Sequence, residues 1–584
     1  MPESTKPPQK KPAGPSVFGL LKPYKGFVFA LLILAIASNA LNLVIPQLIA
    51  RGIDSFAGTR TVESSLLIGF FIAAASIFIF SALQSVVQVY ASERVARDLR
   101  VKLSAKISRQ SHTFIQATGP SKLLTNLTSD IDSIKTFVSQ GIVSVVSSVI
   151  IIIGASVLLL LLNWKLALVV LLTIPTIGVT FSVIFGKVRV LFIQGREVID
   201  WLNKVINESI LGSSLIRVLN SQQPEYQKFI AANTGAKDVG MKILALFASM
   251  IPVVGFVANL ATLAILLIGG RFVINGSMTI GNFAAFNSYL ALLIFPIFIL
   301  GFVSSLIAQA GASYQRINEV LEAPEIPEGG AVTDPLLGNI TVKDLGITYE
   351  EKPVLKKVSF NVKARTRTAI IGPTAAGKTQ LLYLLTGLIS PQTGTIEYDG
   401  RSLDSYNREL LHKQVGFVFQ DSIIFNLSIR ENIAFSSTVS DQSLQKAIDT
   451  AELSEFVDEL PQKLDTIVSE RGSSLSGGQK QRIMLARALA LDPKILLLDD
   501  FTARVDSNTE EKILSNVRKN YPNLTLVSIT QKISSVEDYD QIILLMEGEV
   551  LASGTHQELL ATSPEYVQIY ESQRSTSHYE VHAE

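Results

Sequence analysis

"ILLLDDFTARVD", residues 495–506, decides how the second half of this chain is read. Four apolar residues, Ile495 to Leu498, run into two adjacent aspartates, Asp499 and Asp500. A run that short fits a buried strand. The acids then stand at its carboxyl end, where open α/β sheets gather their ligands. Two questions follow: what such a strand end does, and why the second acid is an aspartate and not a glutamate.

Upstream, "RTAIIGPTAAGKTQLLYLLTGL" (367–388) reads as a strand, a glycine loop and a helix in that order. It fits G-x-x-x-x-G-K-[ST] through Gly372, Gly377, Lys378 and Thr379. Pro373, Thr374, Ala375 and Ala376 fill the loop, and Gln380 follows it. Glycine lets backbone N–H groups curl around phosphate oxygens, and the helix N-terminus adds its dipole. Lys378 is expected to neutralise the β- and γ-phosphates of ATP, and Thr379 to hold Mg²⁺. Asp499 then has a role, binding Mg²⁺ through water at the end of its strand. Asp500 falls where a group could orient the attacking water.

The chain has 584 residues, too many for one compact domain. Hydrophobic residues make up 48% and charged residues 17%, with the apolar excess in the first half. Net charge is +1, which lacks the basic footprint of a nucleic-acid binder. There is no cysteine, so disulfides, thiolate metal sites and cysteine nucleophiles are excluded. The five histidines, His112, His412, His556, His578 and His582, are scattered and form no metal motif.

Six apolar stretches before residue 310 are long enough to span a bilayer: 27–50, 65–90, 138–163, 165–186, 243–269 and 281–306. The first imitates a signal peptide up to Ala37, but its apolar character continues to Ala50, so it is read as a retained span. Lys and Arg crowd the N-terminus and the two long loops after spans two and four. The other loops carry only Arg51, Arg60, Lys165 and Arg271, which places the N-terminus and the long loops in the cytoplasm. Those loops read as helices running on out of the bilayer, with short breaks at "ATGPSK" (117–122) and "ILGSS" (210–214). Asn39, Asn42, Gln47, Gln84, Gln88, Asn259 and Asn287 lie within spans. They suit hydrogen bonds between helices, with a polar substrate lining as the alternative. Phe283, Phe286, Phe295, Phe298 and Phe302 of span six are read as packing or lipid-facing.

"LSGGQKQRIMLARALALDPKILLLDD" (475–500) resembles the ATP-binding cassette (ABC) proteins. Leu475, Ser476, Gly477, Gly478 and Gln479 match the signature at the expected distance before the strand ending in Asp499. Tyr349 matches the aromatic that stacks on adenine, and Gln420 the Q-loop glutamine that contacts Mg²⁺ and the membrane domain. "SERGSSLSGGQ" resembles the X-loop of exporters, and "GEVLASGTHQELL" the usual C-terminal stretch. In the first half, "SHTFIQATGPSKLLTNLTSDID" (111–132), "NESILGSSLIRVLNSQQPEYQKF" (207–229) and "GNFAAFNSYLALLIFPI" resemble the intracellular loops and sixth span of multidrug-type exporters. The short breaks correspond to coupling helices. The resemblance covers nearly all of 17–572, and it is to bacterial B-type (type IV) half-transporters.

That resemblance implies a multi-domain chain: a six-helix all-α membrane domain (17–321), a linker (322–338) and an α/β P-loop domain (339–572). A disordered cytoplasmic N-terminus (1–16) and a C-terminal tail (573–584) flank them. It implies a multi-pass protein of the bacterial plasma membrane, driven by ATP with Mg²⁺. The cargo would be an apolar or amphipathic drug, lipid or peptide, moved by alternating access. Membrane lipids surround it and no nucleic acid takes part.

Three features depart from the family pattern. Asp500 stands where members carry the glutamate that polarises the attacking water; one methylene less leaves the carboxylate roughly 1 to 1.5 Å short, a misplacement that can cost about 10²-fold. Gln531 stands where members carry a histidine on the γ-phosphate, and it cannot become cationic. The D-loop reads Ala503-Arg504-Val505-Asp506 instead of Ser-Ala-Leu-Asp, keeping only Asp506. Family members sandwich ATP between the P-loop of one domain and the signature of another. A weakened hydrolytic site beside an intact LSGGQ is therefore expected in one subunit of a heterodimer, whose partner supplies the glutamate. Alternatives are a homodimer with two slow sites, a nucleotide-gated regulatory or channel-like subunit, and a lipid flippase.

Overall fold

The computed structural model describes residues 17–326, 329–349, 352–436, 438–469 and 472–581, without the side chains of 502, 503 and 575–581. The N-terminal segment 1–16, Glu470 and Arg471 of the X-loop stretch, and the last residues of the tail lie outside the described part. The chain divides into two compact units. One comprises residues up to 109 and 118–324, the other 110–117 and 325–584.

The first unit is helical. Among the described residues, six helices are long and apolar enough to cross a membrane. They are α1 (Lys25–Thr59), α2 (Ser64–Ser108), α4 (Pro120–Leu162), α5 (Trp164–Leu211), α7 (Gln222–Ile274) and α8 (Ile280–Glu322). One short helix, α6 (Ser213–Val218), interrupts the series, and another, α3 (His112–Thr118), falls almost wholly in the 110–117 segment that belongs to the other unit. Each of the six exceeds the roughly 20 residues a bilayer requires, so the helices do continue out of the apolar zone. The breaks fall where the sequence punctuates. Gly119, at φ 84, stands before Pro120, and Gly212 separates α5 from α6.

Leu43, Leu159, Leu166, Phe286, Tyr289 and Leu293 form the buried centre of this unit. Several polar side chains of this unit bond to helix backbone or to a neighbouring helix, as an apolar surrounding demands. Asn39 donates to Ala35 O at 2.7 Å and to Ser147 Oγ at 2.9 Å on α4. Gln88 donates to Ser139 O, and Tyr289 to Leu43 O at 2.8 Å. Asn287 reaches only its own helix, at Phe283 O, and Asn259 is exposed. Of the span-six phenylalanines Phe286 is fully buried, whereas Phe295 and Phe302 lie on the outer surface.

The second unit carries two sheets. An antiparallel sheet joins β1 (Ile340–Tyr349), β2 (Lys352–Val362), β4 (Thr393–Tyr398) and β5 (Arg401–Ser402), in the order β2-β1-β4-β5. The larger sheet contains β3 (Arg367–Ile371), β6 (Val415–Val418), β7 (Ile495–Asp499), β8 (Thr525–Ile529), β9 (Gln541–Met546) and β10 (Glu549–Gly554). Its order is β10-β9-β3-β8-β7-β6. All of its pairings are parallel except β9 with the edge strand β10. Parallel strands are covered on both faces and read as continuous apolar runs. That is why "ILLL" has no alternation: all of β7 is buried. The stretch expected as a linker joins this unit from Gly329 on, with bridges from Gly329 to Asn407 and Val332 to Tyr406, and Leu336 buried.

Candidate functional site

Strand order builds the site. β3, β8, β7 and β6 lie side by side and parallel, so their carboxyl ends share one edge. The glycine loop leaves β3, Gln531 follows β8, Asp499 and Asp500 end β7, and Gln420 follows β6. Residues far apart in sequence thus line one cavity of about 370 Å³. Its walls include Tyr349, Thr374 to Gln380, Gln420, Asp499, Asp500 and Gln531.

The loop between β3 and α9 (Lys378–Leu385) depends on its two glycines. Gly372 has φ 154, and a Cβ there would lie 2.0 Å from Leu545 O. Gly377 has φ 94, and its Cβ would meet Leu355 Cδ2 at 2.7 Å. Only residues without a Cβ let the loop curl this closely. The Lys378 ammonium folds back to donate to Gly372 O at 2.7 Å and Pro373 O at 2.8 Å. It is largely buried, and that burial lowers its pKa against the pull of Asp500 and Asp499.

Asp499 is 1% exposed. One oxygen, Oδ1, accepts from Thr379 Oγ1 at 3.3 Å. The other, Oδ2, is buried without a hydrogen-bond partner among the described residues. Burial pushes this carboxyl up to about 6, with Asp500 adding to the rise and Thr379 opposing it. A buried carboxylate lacking a partner is costly unless a charge meets it, so the donor set fits a divalent cation between Thr379 and Asp499.

Asp500 adopts a left-handed backbone, φ 47, with its N–H donating to Ile529 O at 3.0 Å. Aspartate and asparagine enter that region more readily than longer side chains. The turn after β7 therefore suits the shorter acid, which bears on the second question posed by the sequence. Its pKa is raised by burial and lowered by Lys378 and Lys532. Tyr349, at the mouth, donates its hydroxyl to Gln380 Oε1 at 3.1 Å.

The signature residues do not join this cavity. Ser476 caps α10 (Gly477–Leu489): its Oγ accepts from Gln479 N at 3.2 Å, and Gln479 Oε1 accepts from Ser476 N at 2.8 Å. Ser476 is exposed, so the helix N-terminus faces outward. Such an N-terminus, with its unpaired N–H groups and dipole, suits phosphate. Gly478 lies so close to the D-loop that a Cβ would come 2.9 Å from Arg504 O. Asp506 caps α11 (Ser507–Asn520) by accepting from Thr509 N at 2.9 Å. That bond holds its pKa low.

Sequence reasoning passed over three supports of the site. Gln481, fully buried on α10, donates to Gln420 O at 3.2 Å and so ties the Q-loop to the signature helix. His112 of α3, counted only among scattered histidines, sets its ring 5.2 Å from Tyr383 of α9. Tyr383 in turn meets Phe417 and Phe419, just before Gln420. Gln573, assigned to the tail, bonds the segment that carries Gln531. A glutamine on an α/β helix has no sequence signal of its own; for His112, its place inside a short break between long helices was a usable one.

Residues 28–297 match the family model of the ABC transporter transmembrane region, and 355–503 that of the ABC transporter itself. An uncharacterized ABC transporter ATP-binding protein, YfiB of Bacillus subtilis (strain 168), is 34% identical over 561 residues, 95% of this chain and 97% of that one. The chain belongs to the ABC transporter family. A probable multidrug resistance ABC transporter ATP-binding/permease protein of the same organism, YheI, is 30% identical, covering 93% of this chain and 94% of its own. A solved bacterial Atm1-family ABC exporter with ATP bound superposes with TM-score 0.78 at 25% identity, over 94% of this chain and 98% of that one. This ABC chain is an exporter half-transporter: one six-helix membrane unit and one α/β ATPase unit, a multi-pass membrane protein whose ATPase domain implies ATP binding.

Proposed function

We propose that this half-transporter is one subunit of a heterodimeric exporter, holding ATP in its own cavity and lending its signature to the partner's. One observation carries the need for a second subunit: within this chain the phosphate loop and LSGGQ are apart, the loop lining a cavity and Ser476 exposed on the outer end of α10; Asp500 and Gln531 in that cavity favour a different chain over a second copy. Two half-sites of complementary kind suit a second ABC subunit. A second feature supports a partner. The tip around α6 exposes Leu211 at 77%, Leu215 at 60%, Val218 at 82% and Leu219 at 62%. An apolar cluster this exposed on a break between long helices marks a contact surface.

In the cavity Lys378 and the loop N–H groups bind the phosphates of ATP, and Tyr349 packs on the base. Thr379, Asp499 and Gln420 would hold Mg²⁺, which supplies positive charge against the phosphates. Asp500 is poised to take a proton from water but is short by one methylene, and Gln531 can only donate a neutral hydrogen bond. Binding without fast cleavage follows from those two side chains. At the opposite site, Ser476 and the first N–H groups of α10 meet the γ-phosphate beside the partner's glutamate. Closure of the paired ATPase units on ATP drives alternating access in the membrane helices. The relative named for multidrug resistance supports an apolar or amphipathic cargo. The lysine and arginine distribution supports a cytoplasmic ATPase unit, and the bacterial relatives support a plasma-membrane location.

The test is subunit composition. The tagged full chain is purified from membranes of its own host. The reading expects a second half-transporter in one-to-one ratio, with glutamate after its strand-end aspartate. A homodimer would replace this reading with that of two slow, equivalent sites.

A further inference from the structure

The switch segment after β8 lacks the sheet support its neighbours have. Thr530 N still donates to Ile370 O at 3.3 Å, and Lys532 N to Thr530 Oγ1 at 3.1 Å. The Gln531 carbonyl and the Ile533 N–H find their partner on another element, α12 (Pro564–Val581). Gln573 Oε1 accepts from Ile533 N at 3.0 Å, and Gln573 Nε2 donates to Gln531 O at 2.6 Å. A side-chain amide has one acceptor and one donor end. Here it spans two backbone groups two residues apart, as a neighbouring strand would.

The helix that brings Gln573 there is itself fixed. Tyr566, Ile569, Tyr570 and Gln573 follow one another at i, i+3, i+4 and i+7, a single helix face. Tyr566 is fully buried, and its hydroxyl lies 2.7 Å from His556 Nδ1. Ile569 and Tyr570 pack on the same core as Ile533. The Tyr570 ring stands 5.2 Å from that of His556. Gln573 is thus the polar end of an apolar stripe, held at a fixed height over the switch segment.

From this geometry we infer that Gln573 is a positioning residue for the nucleotide site: it fixes the Gln531 peptide, and thereby how long nucleotide stays in the cavity. The inference rests on reading that cavity as a nucleotide site. Gln531 lines it beside Lys378 and Asp500. Its backbone has no other anchor on the carbonyl side among the described residues, so loosening the amide clamp lets the side chain leave the cavity wall.

The experiment uses the full chain in lipid nanodiscs. It measures dissociation of a fluorescent ATP analogue, MANT-ATP with Mg²⁺, together with hydrogen exchange at the Ile533 amide and the melting temperature. Gln573→Leu keeps the bulk and removes both bonds; Ile533 exchange should rise about tenfold, the worth of one typical hydrogen bond, and nucleotide should leave severalfold faster. Gln573→Glu keeps an acceptor for Ile533 but sets a carboxylate against the Gln531 carbonyl. It should quicken dissociation while Ile533 stays protected, which a merely structural role would not do. Lys378→Ala is the control on the site itself. If it quickens release while both Gln573 variants release like wild type, the positioning role is overturned. If Lys378→Ala also changes nothing, the nucleotide reading of the cavity falls, and the inference with it.

Discussion

Asp499→Asn should stabilise the nucleotide-free protein at neutral pH and abolish its stabilisation by Mg²⁺-ATP. The carboxylate is buried, with one bond from Thr379 and none at Oδ2, and burial pushes its pKa from 3.8 to about 6. Between those values the folded protein keeps a proton that the unfolded chain has released. Stability therefore falls as pH rises from 3.8 to about 6, and the deficit persists above. A displacement of that size corresponds to roughly 3 kcal/mol. Asparagine removes the charge, but its NH₂ remains poorly matched in the pocket, which offsets about 1 to 2 kcal/mol. A net gain of about 1 to 2 kcal/mol raises the melting temperature of a domain this size by roughly 2 to 8 °C. The assay is scanning fluorimetry of the full chain in detergent at about pH 7.5 and about pH 5, either side of the carboxyl's titration. The gain should appear at the higher pH and shrink at the lower, where wild type is mostly protonated. Mg²⁺-ATP should raise the wild-type melting temperature and leave the variant's unchanged. An equal gain at both pH values would refute the buried charge at Asp499, and undiminished stabilisation by Mg²⁺-ATP would refute the placement of the cation there.

Lys378→Ala should weaken nucleotide retention in this chain's cavity while part of the transport survives, checked by nucleotide occupancy and vesicle uptake. Gly478→Ala should damage the competent site, because the added carbon meets Arg504 O at 2.9 Å; steady-state ATPase of the assembled transporter reads the loss. Val218→Asp on the exposed tip of α6 should uncouple ATPase from transport without unfolding the chain, since 82% of that residue is already exposed. Asp500→Glu alone should not restore fast hydrolysis: Gln531 stays neutral, the longer side chain must enter a left-handed turn at φ 47, and residues acting as one catalytic unit give little back when repaired singly.

Much of the site was legible because its chemistry is tied to sequence patterns. Gly372, Gly377 and Lys378 declare the loop through spacing, and the uninterrupted "ILLL" declares a strand covered on both faces. The six long helices followed from apolar length, and their breaks from Gly119-Pro120 and Gly212. What stayed hidden depends on strand order. Nothing in "VGFVFQ" or "SITQK" says that β6 and β8 flank β7, yet that adjacency brings Gln420 and Gln531 to Asp499. Backbone conformation was hidden as well. The left-handed turn at Asp500 offers a reason for aspartate that the motif alone did not. Contacts from separate elements, Gln573 on Gln531 and His112 on Tyr383, leave no periodic trace and needed the fold.

Retention of ATP in this chain's cavity, with its signature serving hydrolysis elsewhere, can be read directly from each chain's nucleotide. The assembled transporter can be loaded with radiolabelled 8-azido-ATP, allowed a single turnover, photo-crosslinked, and its two chains separated. The account predicts intact ATP on this chain and ADP on the partner. Equal conversion to ADP on both chains would contradict it.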